Sequence, residues 1–480
     1  MSSLSDSENK IQFPNIRFYD QDFVTAYDQT WNWVEDCYSN EINIFGEFQK
    51  LFIAPGANTI NSLDACFSTF FLVYSNTIYS SLPQLDFFYS RQEENGAIRS
   101  TYSLASTEPV FSDDNPESLG LPLFAWTEYN LYHKLGNKRR IREVMPILEA
   151  YFSWIENTFK DENGLYATPL AATGMINSPR NEARYFVDFN MVQAINALYM
   201  SELGDILNDK EVTFRYKQHY FTLKTRINQN MWCEETGFYF DVDKYQNKLN
   251  VKTIAAYWSL IAELPNDAKF ERLFSYLKDP NVFGTPNPFP SLAANEPAFN
   301  KDGKAYCGSV FPHLTFMVIK GLEKYSGYEF ARSASIRHLY YILDALHPEG
   351  NTKGNVYAAY KPTEEGPATW VDDKQGAVAM YLPYVGLSTI SLMIENIIGL
   401  YISLPRKTVI WIVPTLENMG IENLSLKRNL ITILSNKSNR GWEVRLESEK
   451  LYYFTIDILS KKRKTLPIPS GKCSILLDKL

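Results

Sequence analysis

The sequence predicts a mainly α-helical protein, built from stacked helix pairs, that ends in a small β-domain. In the middle of the chain apolar residues recur every three or four positions, and after Pro405 the pattern becomes β-branched and alternating. A length of 480 residues, 45% of them hydrophobic, is enough for a large core and for two or three domains. We therefore assign residues 1–14 to a polar N-terminal segment, 15–405 to the helical unit and 406–480 to the β-domain.

The helical unit contains several helices that its apolar spacing marks clearly. One runs from Ile141 to Phe159, with Pro146 inside it as a point of bending. A second runs from Val212 to Met231, and only the short break Leu207-Asn208-Asp209 separates it from the helix before it. Helices joined by so short a link pack as antiparallel neighbours. Two further pairs are predicted at 252–262 with 270–277, and at 312–325 with 331–346.

The C-terminal part contains runs that favour strands over helices. They are rich in β-branched and aromatic residues and are divided by turn residues. The four runs are 408–413, 429–434, 442–446 and 452–459. We expect a β-sandwich-like module of about seventy residues that packs against the helical unit.

Charge and composition narrow the classes of partner. The formal net charge of -8 argues against nucleic acid and against anionic membrane surfaces, both of which need clustered Lys and Arg. The longest apolar stretch, 385–405, is interrupted by Glu395 and Asn396, which favours a buried helix over a membrane span. We expect a cytoplasmic protein with a small-molecule ligand; the oligomeric state is left open.

Several short motifs follow one another in a recognisable order. Gly174-Met-Ile-Asn-Ser-Pro-Arg180 precedes Val187-Asp-Phe-Asn190, and the run from Trp232 to Asp241 follows both. With Gly308-Ser-Val-Phe-Pro312 and Tyr360-Lys-Pro362, this order resembles the six-hairpin glycosidases, specifically the mannosylglycerate-hydrolase-like group related to trehalases. The resemblance implies an (α/α)6 barrel whose concave end binds a sugar.

The resemblance also implies inverting hydrolysis, which this chain is poorly equipped to perform. Inversion needs one carboxyl that protonates the leaving oxygen and another, about 6.5–9.5 Å away, that activates water. The family's acid aligns with Ile176 and its base with Ala358, and a further glutamate of the family pattern aligns with Ala172. Because none of these side chains transfers a proton, the usual chemistry is expected to be lost.

Other polar residues remain as candidates for the site. The candidate catalytic residues are Asp64, Glu182 and Asp188. The candidate sugar-binding residues are Asn177, Arg180, Asn190, Tyr306, His313 and Tyr360. Structural roles compete with each function: Asp64 and Asp188 also suit the first turn of a helix. Arg180 and Glu182 also suit an ion pair that shapes a loop.

One acidic loop suggests a different chemistry. Asp113, Asp114 and Glu117 lie within five residues and follow the Asp-Asp-x-x-Glu pattern, which resembles the first magnesium motif of type I terpene cyclases. The competing interpretation is a solvated acidic turn.

Three hypotheses therefore stand after the sequence: a glycoside hydrolase that needs no cofactor, a sugar-binding protein without turnover, and a Mg²⁺-dependent enzyme acting on an isoprenoid diphosphate.

Overall fold

The computed structural model describes residues 13–346, 356–369, 382–427, 429–439, 441–459, 462–468 and 471–478. Most of the chain before residue 400 is helical. The helices are α1 (Gln21–Asp36), α2 (Ser62–Leu72), α3 (Pro83–Tyr89), α4 (Phe124–Leu135), α5 (Lys138–Phe159), α6 (Val187–Leu207), α7 (Lys210–Asn230), α8 (Trp258–Ile261), α9 (Asp267–Lys278), α10 (Pro312–Lys324), α11 (Tyr328–Leu346) and α12 (Leu382–Gly386). A π-helical segment, Leu387–Ile398, continues α12 directly.

The even-numbered helices form a closed inner ring. Packing runs from α2 through α4, α6, α8 and α10 to α12, and α12 returns to α2. Odd-numbered helices pack outside them, with α3 on α2, α5 on α4, α7 on α6 and α11 on α10. This arrangement is an (α/α)6 barrel, so the predicted fold class is confirmed.

Burial differs between the rings as the sequence patterns require. In α6 nearly every residue is buried, whereas α7 buries only one stripe: Val212, Tyr216, Tyr220, Leu223 and Ile227. That stripe has the three- and four-residue spacing from which α7 was predicted. Pro146 does lie inside α5. The predicted helix at 252–262 is shorter than expected, because Ile254–Tyr257 is a 3₁₀ turn that precedes α8.

The C-terminal domain contains two sheets. One sheet has the order β1-β10-β11-β12-β15 and the other β14-β13-β9-β8. Short two-stranded antiparallel sheets lie in the loops between the barrel helices. The strands are β1 (Asn15–Arg17), β2 (Tyr38–Ile44), β3 (Glu47–Phe52), β4 (Thr59–Asn61), β5 (Thr101–Ser103), β6 (Trp232–Cys233), β7 (Phe238–Tyr239), β8 (Leu400–Ser403), β9 (Thr408–Val413), β10 (Met419–Ser425), β11 (Leu430–Ser438), β12 (Gly441–Ser448), β13 (Tyr452–Ile458), β14 (Lys462–Ile468) and β15 (Gly471–Asp478).

The β-domain is connected to segments on both sides of the barrel sequence. Strand β1 pairs antiparallel with β10, with Ile16 opposite Ile421, so a segment before the first helix completes a sheet of the β-domain. Between barrel and β-domain, Gly399 ends the π-helical segment at φ +91°, and a Cβ there would lie 2.1 Å from the carbonyl oxygen of Ile412. Only glycine fits this junction. Among the described residues, no helix is long and apolar enough to cross a membrane.

Candidate functional site

The N-terminal ends of the inner helices meet at one end of the barrel, which we call the front end. Asp64 lies in the first turn of α2, Asp188 in that of α6 and His313 in that of α10. A cavity of about 220 Å³ lies at this end. It is lined by Asn61, Ser62, Leu63, Ser100, Thr101, Leu119, Gly120, Leu121, Ala171, Ala172, Thr173, Gly174, Tyr306 and Tyr384.

Asp64 is the acid that contacts this cavity's lining. Its Oδ2 accepts a hydrogen bond of 2.8 Å from the amide of Asn61, and its backbone N–H donates to Asn61 Oδ1, which caps α2. Burial raises the pKa of Asp64 to about 7, although hydrogen bonds from Tyr384 and Asn61 act in the opposite direction. Near neutral pH the carboxyl is therefore present in both protonated and ionised forms.

Aromatic rings surround this acid. His313 stacks on Tyr384 with ring centroids 4.2 Å apart, and Tyr306 stacks on Phe311 at 4.3 Å. Burial lowers the pKa of His313 to about 3, so the imidazole is neutral at physiological pH. Its Nδ1 is buried and has no hydrogen-bond partner among the described residues. The front cavity thus has aromatic walls and weakly polar, uncharged groups.

The positions where the family has carboxyls are apolar in space as well as in sequence. Ala172 lines the front cavity, Ala358 is buried, and Ile176 is 53% exposed. None of the described residues that line the front cavity is Asp or Glu. The geometry required for inversion, two facing carboxyls, is therefore not provided by the described lining residues.

Arg180 and Asp188 belong to a buried ion network instead of the cavity. The Arg180 guanidinium donates to Asp188 at 2.8 and 2.9 Å and to Asp241 at 2.6 and 2.9 Å. Burial disfavours the charged guanidinium, but the two carboxylates hold the pKa of Arg180 above its usual value. Asp241 also accepts from the backbone N–H of Val187 at 2.8 Å. These side chains hold the start of α6 in place. This is the structural role that competed with a functional role for Arg180 and Asp188.

Three predicted binding residues have their polar groups occupied by the protein. Asn177 accepts from the backbone N–H of Tyr306 at 2.8 Å and donates to the carbonyl of Lys304 at 3.0 Å. Asn190 makes the equivalent pair of bonds with the backbone of Tyr166. The Tyr360 hydroxyl is fully buried and accepts from the N–H of Tyr357. The structure uses these groups to hold loops in place.

Glu182 lies away from the front cavity. It is exposed and lines a separate, wide surface depression of about 810 Å³. The same depression contains Asp161, whose carboxylate accepts from Arg184 at 2.7 Å. Glu182 and Asp64 are not brought together by any described contact.

The acidic loop at 113–117 does not form a cluster. Asp113 and Asp114 are exposed, and Glu117 is held by Arg99, whose guanidinium donates to it at 2.6 Å. Among the described residues, no group of three His, Cys, Asp or Glu side chains is placed to hold a metal ion. The solvated turn is therefore the better supported interpretation of this motif.

Two important residues were missed in the sequence. Tyr384 was not singled out, and only the fold brings it to Asp64 and His313. Asp241 ends the motif that begins at Trp232, and its partnership with Arg180 needs two motifs to be brought together. The only indication in the sequence was that the motif with Arg180 is followed by a motif that ends in Asp241.

Comparison with known families matches most of the chain. Residues 82–369 match the mannosylglycerate hydrolase MGH1-like glycoside hydrolase domain, and residues 399–480 match the trehalase C-terminal domain. A sequence relative, an uncharacterized protein of Borreliella burgdorferi, is 51% identical over 474 residues, which cover 98% of this chain and 100% of that protein. The second match begins at Gly399, one residue before β8.

Solved structures share the fold at low identity. A mannosylglycerate hydrolase from Thermus thermophilus in complex with glucose is 18% identical, with a TM-score of 0.59 over 76% of this chain and 99% of that one. The neutral trehalase of Saccharomyces cerevisiae is 13% identical, with a TM-score of 0.56 over 74% of this chain and 76% of that one. A sialidase gives a TM-score of 0.69 at 16% identity over 92% of this chain, which spans 40% of the sialidase chain.

Proposed function

The chain belongs to the mannosylglycerate hydrolase MGH1-like glycoside hydrolase family, and on that premise we propose that it binds a small α-glycoside at the front end of its barrel without the family's two-carboxyl hydrolysis. The single observation that supports this is the composition of the front cavity, whose described lining contains no Asp or Glu. A pocket of about 220 Å³ suits a ligand of one sugar ring, or one end of a disaccharide.

The remaining groups suit recognition of hydroxyls. Asp64 with Asn61 supplies carboxyl and amide groups beside the cavity, and Tyr306 and Tyr384 supply aromatic surface. Since a carboxyl near half ionisation both accepts and donates hydrogen bonds, Asp64 is suited to a sugar hydroxyl, which does the same.

A second candidate function rests on the same acid. An enzyme's general acid works best when its pKa lies near the operating pH, and burial places the pKa of Asp64 at about 7. Asp64 could then protonate a leaving oxygen. The reaction would proceed without a second described carboxyl to activate water, and so more slowly than in the family's usual site.

Equilibrium binding and turnover, measured on the same preparation, test the proposal. Calorimetric titration with α-disaccharides is expected to show saturable binding, and sugar analysis after long incubation is expected to show intact ligand. Asp64→Asn is expected to weaken binding by about fivefold, the usual worth of one hydrogen bond. Asp22→Asn, an exposed acid at the start of α1, is the matched control.

Restoring the missing carboxyls sharpens the same test. Ile176→Asp with Ala358→Glu is expected to introduce measurable hydrolysis that neither single variant has, since both partners are needed. Hydrolysis by the unmodified protein that Asp64→Asn removes would replace the proposal with the second candidate. Absence of binding by any α-glycoside would contradict both.

A further inference from the structure

A second cavity lies at the opposite end of the barrel, which we call the back end. It has a volume of about 200 Å³ and is lined by residues of α2, α4, α6, α8 and α10, the π-helical segment and the start of the β-domain. On α10 the front-end residue His313 and the back-end residue Lys324 are separated by about 16 Å along the helix axis. The back cavity is therefore distinct from the front cavity.

The floor of the back cavity is a chain of alternating charges. Glu395 lies between Lys134 at 2.9 Å and Lys320 at 2.6 Å, and Lys320 also contacts Glu323 at 2.7 Å. Tyr74 hydrogen-bonds both Glu395 and Lys134. The two lysines and two glutamates cancel, and Lys324, which also lines the cavity, is paired with Glu263 at 3.0 Å, so the cavity offers fixed donors and acceptors without an unpaired lysine.

The walls of the back cavity are aromatic. Phe70 packs on Trp126 at 4.8 Å and on Phe316 at 5.1 Å, and Tyr129 packs on Tyr199 at 4.9 Å. All five residues line the cavity. Flat apolar surface above a polar floor fits a ligand with one apolar face and several hydroxyls, which is the character of a sugar ring.

Four polar groups on lining residues are unused by the described part of the protein. The indole N–H of Trp126 and the hydroxyl of Tyr129 make no hydrogen bond there, and the same is true of Asn130 Oδ1 and Glu323 Oε2. None of these atoms is among the buried polar atoms without partners, so each is accessible. Donors and acceptors are both represented, as a hydroxylated ligand requires.

We propose that the back cavity binds one neutral sugar ring or a polyol of similar size. Neutral chemistry follows from the charge balance of the floor, because an anion would have to displace Glu395 or Glu323 from lysines that they already hold. A single ring follows from the volume, which is below the about 300–1,000 Å³ of drug-sized sites. This site is independent of the function proposed for the front cavity.

The test uses the full-length protein and its Tyr129→Phe variant. Calorimetric titration is made with glucose, mannose and galactose, and in parallel with glucuronate and glucose 6-phosphate. Tyr129→Phe removes a hydroxyl that bonds nothing in the described chain, so the fold is kept while one ligand contact is lost. At least one neutral sugar is expected to bind, and the variant is expected to bind it about fivefold more weakly.

Two controls assign the binding to the back cavity. Tyr132→Phe changes a half-buried tyrosine on the same helix that does not line the cavity, and it is expected to leave affinity unchanged. Asp22→Asn, at an exposed acid of α1 that lines neither cavity, is also expected to leave it unchanged. Binding that Asp64→Asn weakens and Tyr129→Phe leaves unchanged would overturn the proposal. Binding of only the charged sugars would also overturn it, as would no binding up to about 50 mM ligand.

Discussion

Asp64 and Glu395 are buried acids at opposite ends of one barrel, and burial leaves them in opposite states. Burial raises the pKa of Asp64 to about 7, and hydrogen bonds from Tyr384 and Asn61 only reduce the effect. Burial acts on Glu395 in the same direction, yet Lys134 and Lys320 hold its pKa at about 2. The difference lies in the neighbours: hydrogen bonds only partly offset burial at Asp64, whereas two lysines outweigh it at Glu395, which stays ionised.

This contrast separates what each end of the barrel can do. At the front end, Asp64 exchanges a proton near neutral pH among rings and small side chains. At the back end, Glu395 is held ionised by its lysines, and the ion pairs present fixed hydrogen-bonding groups. Among the described residues we therefore expect proton transfer at the front and binding without chemistry at the back.

The largest expected effect is on the ion network that holds the front end together. Arg180→Met leaves Asp188 and Asp241 buried without their cation, which costs about 3–5 kcal/mol of the free energy of unfolding. Thermal melting of the purified variant measures the loss. Arg184→Met, which removes an exposed partner of Asp161, is the control and is expected to lose far less. Equal losses in the two variants would show that the network is not what stabilises this end.

Glu395→Gln tests the ionised state of the back end. The wild-type glutamate stabilises the fold above its ordinary pKa of 4.5, and this contribution is lost as the pH falls toward 2. The variant is expected to be about 2–3 kcal/mol less stable at neutral pH, and the gap is expected to close on acidification. Melting curves of both proteins between about pH 7 and pH 3 measure it. A difference in stability that does not change with pH would mean that the stabilising effect of Glu395 does not come from its charge.

Asp64→Asn gives the opposite pH dependence at the front end. Because the folded pKa of about 7 lies above the ordinary 3.8, ionisation of Asp64 destabilises the fold progressively as the pH rises through this interval. The variant is expected to match the wild type near pH 4 and to exceed it by about 1–2 kcal/mol near pH 8. Asp22→Asn is the control. A variant less stable than wild type at pH 8 would contradict the assignment of a raised pKa.

The smallest expected effect concerns the acidic loop, which belongs to neither end. Asp113→Asn is expected to leave the melting temperature unchanged with and without Mg²⁺, because the side chain is exposed and forms no cluster with Asp114 and Glu117. The same protein is expected to release no diphosphate from an isoprenoid diphosphate. Mg²⁺-dependent release that Asp113→Asn abolishes would revive the terpene-cyclase hypothesis.

Much of the fold was readable from periodicity. The stripe of α7 and the run at 408–413 were located from their spacing alone, and the latter matches β9 residue for residue. Predictions were less accurate where the local sequence pattern does not distinguish one structure from another. The segment before α8 is fully buried, so its apolar residues do not distinguish a 3₁₀ turn from an α-helix. The pairing of β1 with a strand 400 residues away leaves no local trace.

The sites were less predictable because they depend on residues brought together from distant helices. Ile176 and Ala358 could be identified as substitutions from motif order. The role of Asp188 could not, since it shares Arg180 with Asp241, which lies in another motif. At the back end the charged Glu395 inside an apolar run was noticed only as evidence against a membrane span. A buried charge also implies a buried counter-charge, and that reasoning would have pointed toward the lysines.

The pairing of β1 with β10 places the first strand of the protein opposite one that the ribosome makes some 400 residues later. At about 5–20 residues per second, β1 waits roughly 20–80 seconds during synthesis before its partner exists. The barrel helices between them can pack during this interval, but the sheet cannot be completed. Arg17 and Glu422, whose side chains meet at 3.0 Å, therefore cannot form their ion pair until residue 422 has been synthesised.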